Sequence, residues 1–383
     1  MRRMTIIICL SILALFCFAN IKESLGQAEG GRQRRWNRLS KLHFIPQQEL
    51  LVAACSSDPN GSVRFWSMDN GNLKEVLDLG MRDWATSLAV GNGGDLIAIA
   101  LLTKKEIGCY SLKERKWLWK VGRWLVDSPM RFTPDDKKLV VLDVTEIVTY
   151  DARTGAVLQK QKDSKRFADG FPNYITRLEA ISPSGRYAAF WHGYPLPHGE
   201  TWGSSRNIWV LVRDIETEKT IAKQGKIQER YKNCSAVFTP EEKNLLLGSM
   251  DGYVRVWSLG DQKVAREWRA YGAGEEPIPF EKDPHPYSID SMTFSLDGRY
   301  LATMGHLRNK GFTVRIWDYS SNEMIHEFVN VASSGLAMCS AYPMAFSPDW
   351  KYFALEQQGD LCLYDTQTWE EKWRVPSWAG NKQ

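Results

Sequence analysis

The chain has 383 residues, a formal net charge of +4 and 12% aromatic residues, including 16 tryptophans. A charge this close to balance argues against a general polyanion binder, so nucleic acid is not a predicted partner. The length could hold two or three ordinary domains, but closed all-β folds often exceed that size, and abundant aromatic residues favour strands.

The first residues predict an export signal. Paired arginines precede an apolar run from Thr5 to Ala19, and small residues follow it, the last being Ala28. A basic start, a short apolar core and small residues are typical of a secretory signal peptide. We therefore predict a signal peptide over residues 1–28 and a secreted or periplasmic location. An uncleaved membrane anchor over the same run is the alternative.

The next segment, residues 29–41, is basic because it contains Arg32, Arg34, Arg35 and Arg38. Contact with an anionic membrane surface or polymer is one interpretation. We favour a solvated tail, because short runs of charge are usually no more than that. Membrane contact is thus predicted only for the signal segment or this tail.

Five cysteines remain beyond the predicted signal peptide: Cys55, Cys109, Cys234, Cys339 and Cys362. An odd number at wide spacing is not a disulfide framework, even in an oxidising compartment. We interpret most of them as small apolar residues within strands. Cys339 with Cys362 is the one pair to test for a disulfide.

Two short phrases alternate seven times along the chain. The first, an apolar residue before a proline or turn, recurs at Phe44–Pro46, Val90–Asn92, Phe132–Pro134, Ile181–Pro183, Phe238–Pro240, Phe294–Leu296 and Phe346–Pro348. The second, an apolar strand that ends in Trp or Tyr in six of its copies, recurs at Val63–Trp66, Ile107–Tyr110, Ile147–Tyr150, Ile208–Asp214, Val254–Trp257, Val314–Trp317 and Leu361–Tyr364. Such a period indicates a repeat architecture.

Each repeat predicts four short strands, which in the fifth repeat cover residues 235–238, 244–249, 253–258 and 263–268. One such sheet is too small to bury both of its faces, whereas seven sheets stacked radially cover each other. The predicted fold class is therefore all-β: a seven-bladed β-propeller of four-stranded antiparallel blades. It spans residues 42–376, and residues 377–383 form a tail. We expect a clasp involving both chain ends to close the ring.

The repeats resemble the WD-repeat family, most closely at Leu247–Ser258 and Phe312–Asp318. Only the first, fifth and sixth repeats carry the tryptophan of that family, at Trp66, Trp257 and Trp317. The resemblance implies a propeller with degenerate repeats, whose common role in the family is to bind other proteins.

In the WD-repeat family a tryptophan, a serine or threonine, a turn aspartate and a histidine before the first strand form a hydrogen-bonded set. The fifth repeat offers Trp257, Ser249 and Asp251, but no histidine lies just before its first strand. The resemblance implies that Trp257 is buried between blades and that its indole reaches Ser249.

A second resemblance concerns the turn Asp151–Gly155 and the tryptophan-bearing strands at Lys116–Trp119 and Glu371–Trp373. These are similar to quinoprotein-type propeller repeats, so the expected fold is unchanged. The resemblance implies an alternative function, a quinoprotein-like enzyme or a lyase that uses the central channel.

No catalytic constellation stands out in the sequence. The six histidines show no metal-ligand spacing, no C-x-x-C pair joins them, and no glycine-rich loop opens a helix. The aspartates that follow the Trp/Tyr strands, namely Asp151, Asp214, Asp318 and Asp365, are interpreted as turn formers. We therefore predict neither an enzyme nor a cofactor or metal.

Long segments are predicted on one face of the propeller only. In a four-stranded meander the second-to-third turns and the links between blades lie at the same end of the sheet. The long segments all belong to this set: residues 163–174, 191–207, 271–287, 304–311 and 331–341. Long loops on one face of a rigid scaffold are where binding usually resides.

The predicted partner-binding residues belong to these segments: Trp191, His192, Tyr194, Trp202, Phe280, His285, Tyr287, His306 and Arg308. Exposed aromatic residues with few charges suit protein partners or sugar rings. The sequence therefore favours an exported protein-interaction scaffold, with a carbohydrate-binding module as the alternative. Loops that bury their aromatic residues in a packed lid, with no ligand, are the remaining alternative.

Overall fold

The computed structural model describes residues 38–56, 60–81, 83, 85–123, 129–142, 146–162, 175–193, 208–227, 233–272, 287–307, 311–329, 331 and 343–376. They belong to the second of two compact units, Asn37–Gln383. The predicted signal peptide, most of the basic segment and the C-terminal tail lie outside them. Among the described residues no helix has the length and apolarity to span a membrane.

Seven sheets each contain four consecutive antiparallel strands, which we call blades one to seven. Blade one contains β1 (Arg38–Ile45), β2 (Leu50–Ser56), β3 (Asn60–Ser67) and β4 (Leu73–Met81), and blade two contains β5 (Ala85–Val90), β6 (Leu96–Leu101), β7 (Glu106–Ser111) and β8 (Lys116–Gly122). Blade three contains β9 (Met130–Phe132), β10 (Lys138–Leu142), β11 (Glu146–Asp151) and β12 (Val157–Lys162). Blade four contains β13 (Ile175–Ile181), β14 (Tyr187–Gly193), β15 (Ile208–Asp214) and β16 (Thr220–Ile227).

Blade five contains β17 (Asn233–Phe238), β18 (Asn244–Ser249), β19 (Tyr253–Ser258) and β20 (Lys263–Arg269). Blade six contains β21 (Ile289–Phe294), β22 (Tyr300–Leu307), β23 (Gly311–Asp318) and β24 (Glu323–Phe328). Blade seven contains β25 (Met344–Phe346), β26 (Tyr352–Gln357), β27 (Asp360–Asp365) and β28 (Glu371–Pro376). The helical content of the described residues is a single 3-10 turn, Pro46–Gln48.

The burial of each strand follows its place in the blade. All six residues of β6 are buried, because a second strand is covered by the neighbouring blade on both faces. The fourth strand β20 instead alternates between exposed and half-buried residues. This difference explains why second strands read as continuous apolar runs in the sequence while outer strands alternate.

The hydrophobic core is divided among the seams between adjacent blades. Seven clusters of buried residues are present, and each takes its residues from two neighbouring blades. Between blades seven and one, for instance, Leu363 and Trp373 pack with Leu51 and Trp66. Seven seams for seven blades close the ring, and they confirm the predicted seven-bladed propeller.

The described residues do not form the predicted clasp, because the first and last described strands each pair within their own blade. The strand β1 pairs with β2, and β28 pairs with β27. A side chain holds the closing seam instead: Trp373 Nε1 donates a 3.0 Å hydrogen bond to Met68 O. Gly71, with φ of 71°, lies beneath the indole, where an added Cβ would come within 2.8 Å of the ring.

The same arrangement occurs inside the ring, between blades two and three. Trp119 Nε1 donates a 2.9 Å hydrogen bond to Ala152 O. Gly155 lies beneath this indole with φ of 72°, and an added Cβ would come within 2.6 Å of it. The seam that closes the ring therefore uses a contact that also joins two consecutive blades.

Candidate interaction surface

The connections between strands separate the two faces of the propeller. The first-to-second and third-to-fourth turns, which define the tight-turn face, all contain four or five residues. The opposite face, which we call the loop face, carries the four segments of twelve or more residues: 163–174, 194–207, 270–288 and 329–343. The predicted asymmetry in connection length is therefore present in the fold.

One predicted long segment is wrong. Residues 304–311 were expected as a loop, but β22 continues to Leu307 and β23 begins at Gly311. His306 pairs with Phe312 and Leu307 pairs with Gly311 at the end of this hairpin. Because Leu307 is buried, the apolar side chain extends the strand past the point where the sequence suggested a turn.

Most predicted contact residues lie at or beyond the edge of the described structure. Trp191 and His192 belong to β14, close to its end at the loop face, and pair with Val210 and Trp209. Five others lie outside the described residues: Tyr194, Trp202, Phe280, His285 and Arg308. The role of these residues in binding stays a prediction.

Tyr287 is placed differently from the expectation. Its side chain is 4% exposed and belongs to the core between blades five and six. The ring packs against Gly272, where an added Cβ would come within 2.9 Å of it, and the Arg269 guanidinium lies 5.6 Å from its centroid. The ring is not available to a partner, so we withdraw Tyr287 from the predicted contact set.

The long link between blades five and six leaves the core at a second buried tyrosine. The hydroxyl of Tyr271 lies within 2.9 Å of Thr303 O, 3.1 Å of Thr303 Oγ1 and 3.0 Å of Thr313 O. The Arg315 guanidinium lies 4.8 Å from the ring centroid and donates to Ala270 O. Burial raises the pKa of Tyr271, so its hydroxyl remains a neutral donor. Both ends of the link are therefore fixed in the core.

Tyr271 also completes a hydrogen-bonded set in blade six. Trp317 Nε1 donates a 2.9 Å hydrogen bond to Thr303 Oγ1, which in turn meets the Tyr271 hydroxyl. Trp317, Thr303 and Tyr271 therefore form a hydrogen-bonded set at the seam between blades five and six. The sequence alone gives no signal for this set, because the pairing of Leu301 with Trp317, which places Thr303 beside the indole, is known only from the structure.

Blade five lacks this set, and the predicted contact from Trp257 to Ser249 is wrong. Trp257 is fully buried, as expected, but no described residue accepts a hydrogen bond from its Nε1. The position equivalent to Thr303 is Leu247, which carries no hydroxyl. Ser249 and Asp251 instead accept hydrogen bonds of 2.6 to 3.1 Å from Arg255.

We expect Tyr271→Phe to lower the free energy of unfolding by about 1–2 kcal/mol, because buried acceptors lose their donor. The matched control is Tyr110→Phe, since the buried Tyr110 ring packs on Trp117 and no described residue bonds its hydroxyl. The control should change stability by less than about 0.5 kcal/mol. Urea denaturation followed by fluorescence measures both, and equal losses would contradict the role of the Tyr271 hydroxyl.

Residues in left-handed backbone conformation join neighbouring blades on the tight-turn face. The carboxylate of Asp136 (φ 56°) accepts hydrogen bonds of 2.7 and 2.6 Å from two backbone amides of the turn in blade two. Glu242 (φ 58°) accepts from the amide and hydroxyl of Ser184. Trp350 (φ 61°) stacks on Tyr300 with ring centroids 3.5 Å apart. These contacts offset the cost of the left-handed backbone conformation, and they connect neighbouring blades on the tight-turn face.

The aspartates of the tight-turn face act as turn formers, as predicted. Asp151, Asp214, Asp318 and Asp365 each accept hydrogen bonds from the two backbone amides two and three residues later. The hydroxyl and amide of Thr154 lower the pKa of Asp151. Among the described residues, no group of three histidine, cysteine or acidic side chains could hold a metal ion.

Burial also explains the cysteines that the structure describes. Cys55, Cys109 and Cys362 are free and lie in the core of β2, β7 and β27. Burial raises the pKa of each of these three thiols to about 12, so the reactive thiolate is suppressed. They are small apolar residues of strands, as expected.

One comparison with known proteins identifies a repeat. The family model of the WD domain, G-beta repeat, matches residues 228–258, which lead into blade five and cover its first three strands. No curated protein matches the chain.

Proposed function

Because the chain is a WD-repeat β-propeller, we propose that it is an exported protein-interaction scaffold whose partner binds the loop face of blades three to seven. WD-repeat propellers commonly bind other proteins, and the fold by itself does not say which. The observation that carries the proposal is the asymmetry of the two faces. All connections of the tight-turn face are short, whereas every segment of twelve or more residues belongs to the loop face.

The scaffold below these segments supports the proposal. Buried Tyr271 and Tyr287 fix the two ends of the link between blades five and six. The segment between them contains four prolines, Pro277, Pro279, Pro284 and Pro286. Fixed ends and prolines reduce the conformational freedom that a loop loses when it binds, which favours affinity.

The contact chemistry comes from aromatic side chains in the same segments. Among the predicted contacts that remain after Tyr287 is withdrawn, Trp202 and Phe280 are the apolar aromatic residues of the segments 194–207 and 270–288. Aromatic residues offer large contact areas with few rotatable bonds, and they dominate many protein interfaces. A protein partner is therefore the proposed ligand.

Binding is tested by capture from the exported fraction of the source organism, with the chain immobilised. We expect Trp202→Ala and Phe280→Ala to weaken capture at least tenfold and to shift the melting temperature little. Leu296→Ala is the matched control, because Leu296 is 65% exposed on the tight-turn face and should leave capture unchanged.

Three outcomes of this experiment would count against the proposal. Capture that persists in both aromatic variants while the melting temperature falls would identify a packed lid. Capture lost only with Leu296→Ala would place the partner on the tight-turn face. Retention on immobilised polysaccharide that both aromatic variants lose, without any captured protein, would favour a carbohydrate-binding module.

Export is tested separately by the mass of the chain recovered from the exported fraction. We expect a new N-terminus close to residue 28, because the small residues that suit cleavage precede it. An intact N-terminus in the membrane fraction would identify an uncleaved anchor instead.

A further inference from the structure

His43 lies in β1, the first and innermost strand of blade one, at the seam with blade two. Its Nε2 makes a 3.0 Å hydrogen bond with Leu88 O, on the inner strand β5 of blade two. A carbonyl oxygen only accepts hydrogen bonds, so Nε2 carries the proton of the neutral imidazole and Nδ1 is the atom that acid would protonate. No described residue accepts a hydrogen bond from Nδ1.

The side chains packed around His43 cannot compensate a positive charge. The charges that act on it are those of Lys41, on its own strand, and Arg131, on the inner strand β9, and both are cationic. The adjacent strands β2, β5 and β25 contain no charged residue. The carboxylate of Glu356, on β26, lies 3.4 Å from the backbone nitrogen of Leu39 at the other end of β1.

We propose that His43 is an acid-sensitive contact at which the propeller ring loosens between blades one and two. The strands β1 and β5 belong to different sheets, so the side chain of His43 supplies a hydrogen bond that no backbone ladder provides. Protonation of Nδ1 adds a third positive charge beside Lys41 and Arg131, and that charge gains hydration when the seam opens.

The direction of the pH effect follows from the environment of the imidazole. Burial lowers the pKa of His43 to about 4, the two cations add to this, and the hydrogen bond with Leu88 opposes it. The folded state therefore disfavours the charged form. The stabilising contribution is complete above about pH 6.5, the ordinary pKa of histidine, and it is lost as the pH falls from there towards 4.

The first test compares the full chain with its His43→Gln variant, because glutamine can donate to Leu88 O but does not titrate. Between pH 7 and pH 5 the folding equilibrium constant of the natural chain should fall roughly tenfold more than that of the variant. Urea denaturation at each pH measures this difference. An equal pH dependence in the two proteins would overturn the proposal.

The second test locates the opening by amide hydrogen exchange, with rates corrected for their intrinsic pH dependence. Protection in β1 and β5 should fall at pH 5 relative to β18 in the natural chain, and His43→Gln should abolish this. His326→Gln is the control, because His326 lies on the outer strand β24 and stacks on Trp369. It should leave the exchange of β5 as in the natural chain.

A third measurement needs no variant, and so it decides the matter even where His43→Gln fails to fold. The imidazole of His43 in the natural chain should titrate below pH 5 when followed by nuclear magnetic resonance. A midpoint at or above pH 6.5, or a uniform loss of protection across all blades, would show that His43 does not act as an acid-sensitive contact.

Discussion

Replacing Trp373 with alanine is expected to lower the free energy of unfolding by about 3–5 kcal/mol. The indole lies in the seam that closes the ring, where it donates to Met68 O and covers Gly71. Its removal leaves a cavity between blades seven and one. Because the described strands of these blades do not exchange, packing and this hydrogen bond carry the closure. Urea denaturation at neutral pH measures the loss.

Trp119→Ala is the matched control for ring closure, because Trp119 makes the equivalent contact between blades two and three. Both variants should lose similar free energy, but only Trp373→Ala should raise amide exchange at both β1 and β28. A loss below about 1 kcal/mol for Trp373→Ala, with the full loss for Trp119→Ala, would contradict closure by this contact.

The fold could be predicted from the sequence because the repeat period and the burial pattern agree. A strand covered on both sides is largely apolar, and the predicted second strand of the fifth repeat, residues 244–249, coincides with β18. Tight turns favour particular residues, so the aspartates at the ends of the third strands marked the same face in blades three, four, six and seven. Periodicity thus located blades even where the characteristic tryptophan is absent.

The hydrogen-bonded set could not be predicted, because the cross-strand register decides which hydroxyl meets which indole. Ser249 is only two residues away from Leu247 along β18, yet Leu247 occupies the position from which Thr303 reaches its indole in blade six. A tyrosine from the preceding link, Tyr271, completes that set, and nothing in the repeat pattern pointed to it. The way in which the ring closes could not be predicted from the sequence either. Both chain ends contain apolar residues that could pair as strands, and only the structure shows which strand each of the described residues pairs with.

The surface that contacts a partner was harder to predict from the sequence than the fold. Composition identified aromatic residues in long segments, but it could not separate residues that support a loop from residues that are exposed on it. Tyr287 shows the difference, because a glycine at position 272 leaves room for its ring in the core. An aromatic residue at one end of a link that carries a glycine at its other end is therefore better interpreted as support for the loop.

Replacing Trp257 with alanine is the other change with a large expected effect, again about 3–5 kcal/mol. The side chain is fully buried between blades four and five, where it packs with Val210, Val212 and Phe238. Equilibrium unfolding in urea measures the loss. A change below about 1 kcal/mol would contradict the position of this indole in the core.

Substitution by phenylalanine separates the packing of the indole from its hydrogen bond. Trp257 Nε1 has no partner in the part of the chain that the structure describes, so Trp257→Phe removes buried area and also removes an unsatisfied donor. Trp317→Phe removes similar area but breaks the hydrogen bond to Thr303. We therefore expect Trp317→Phe to cost about 1 kcal/mol more than Trp257→Phe. Equal costs, or the reverse order, would show that the hydroxyl of Thr303 contributes nothing to the stability of blade six.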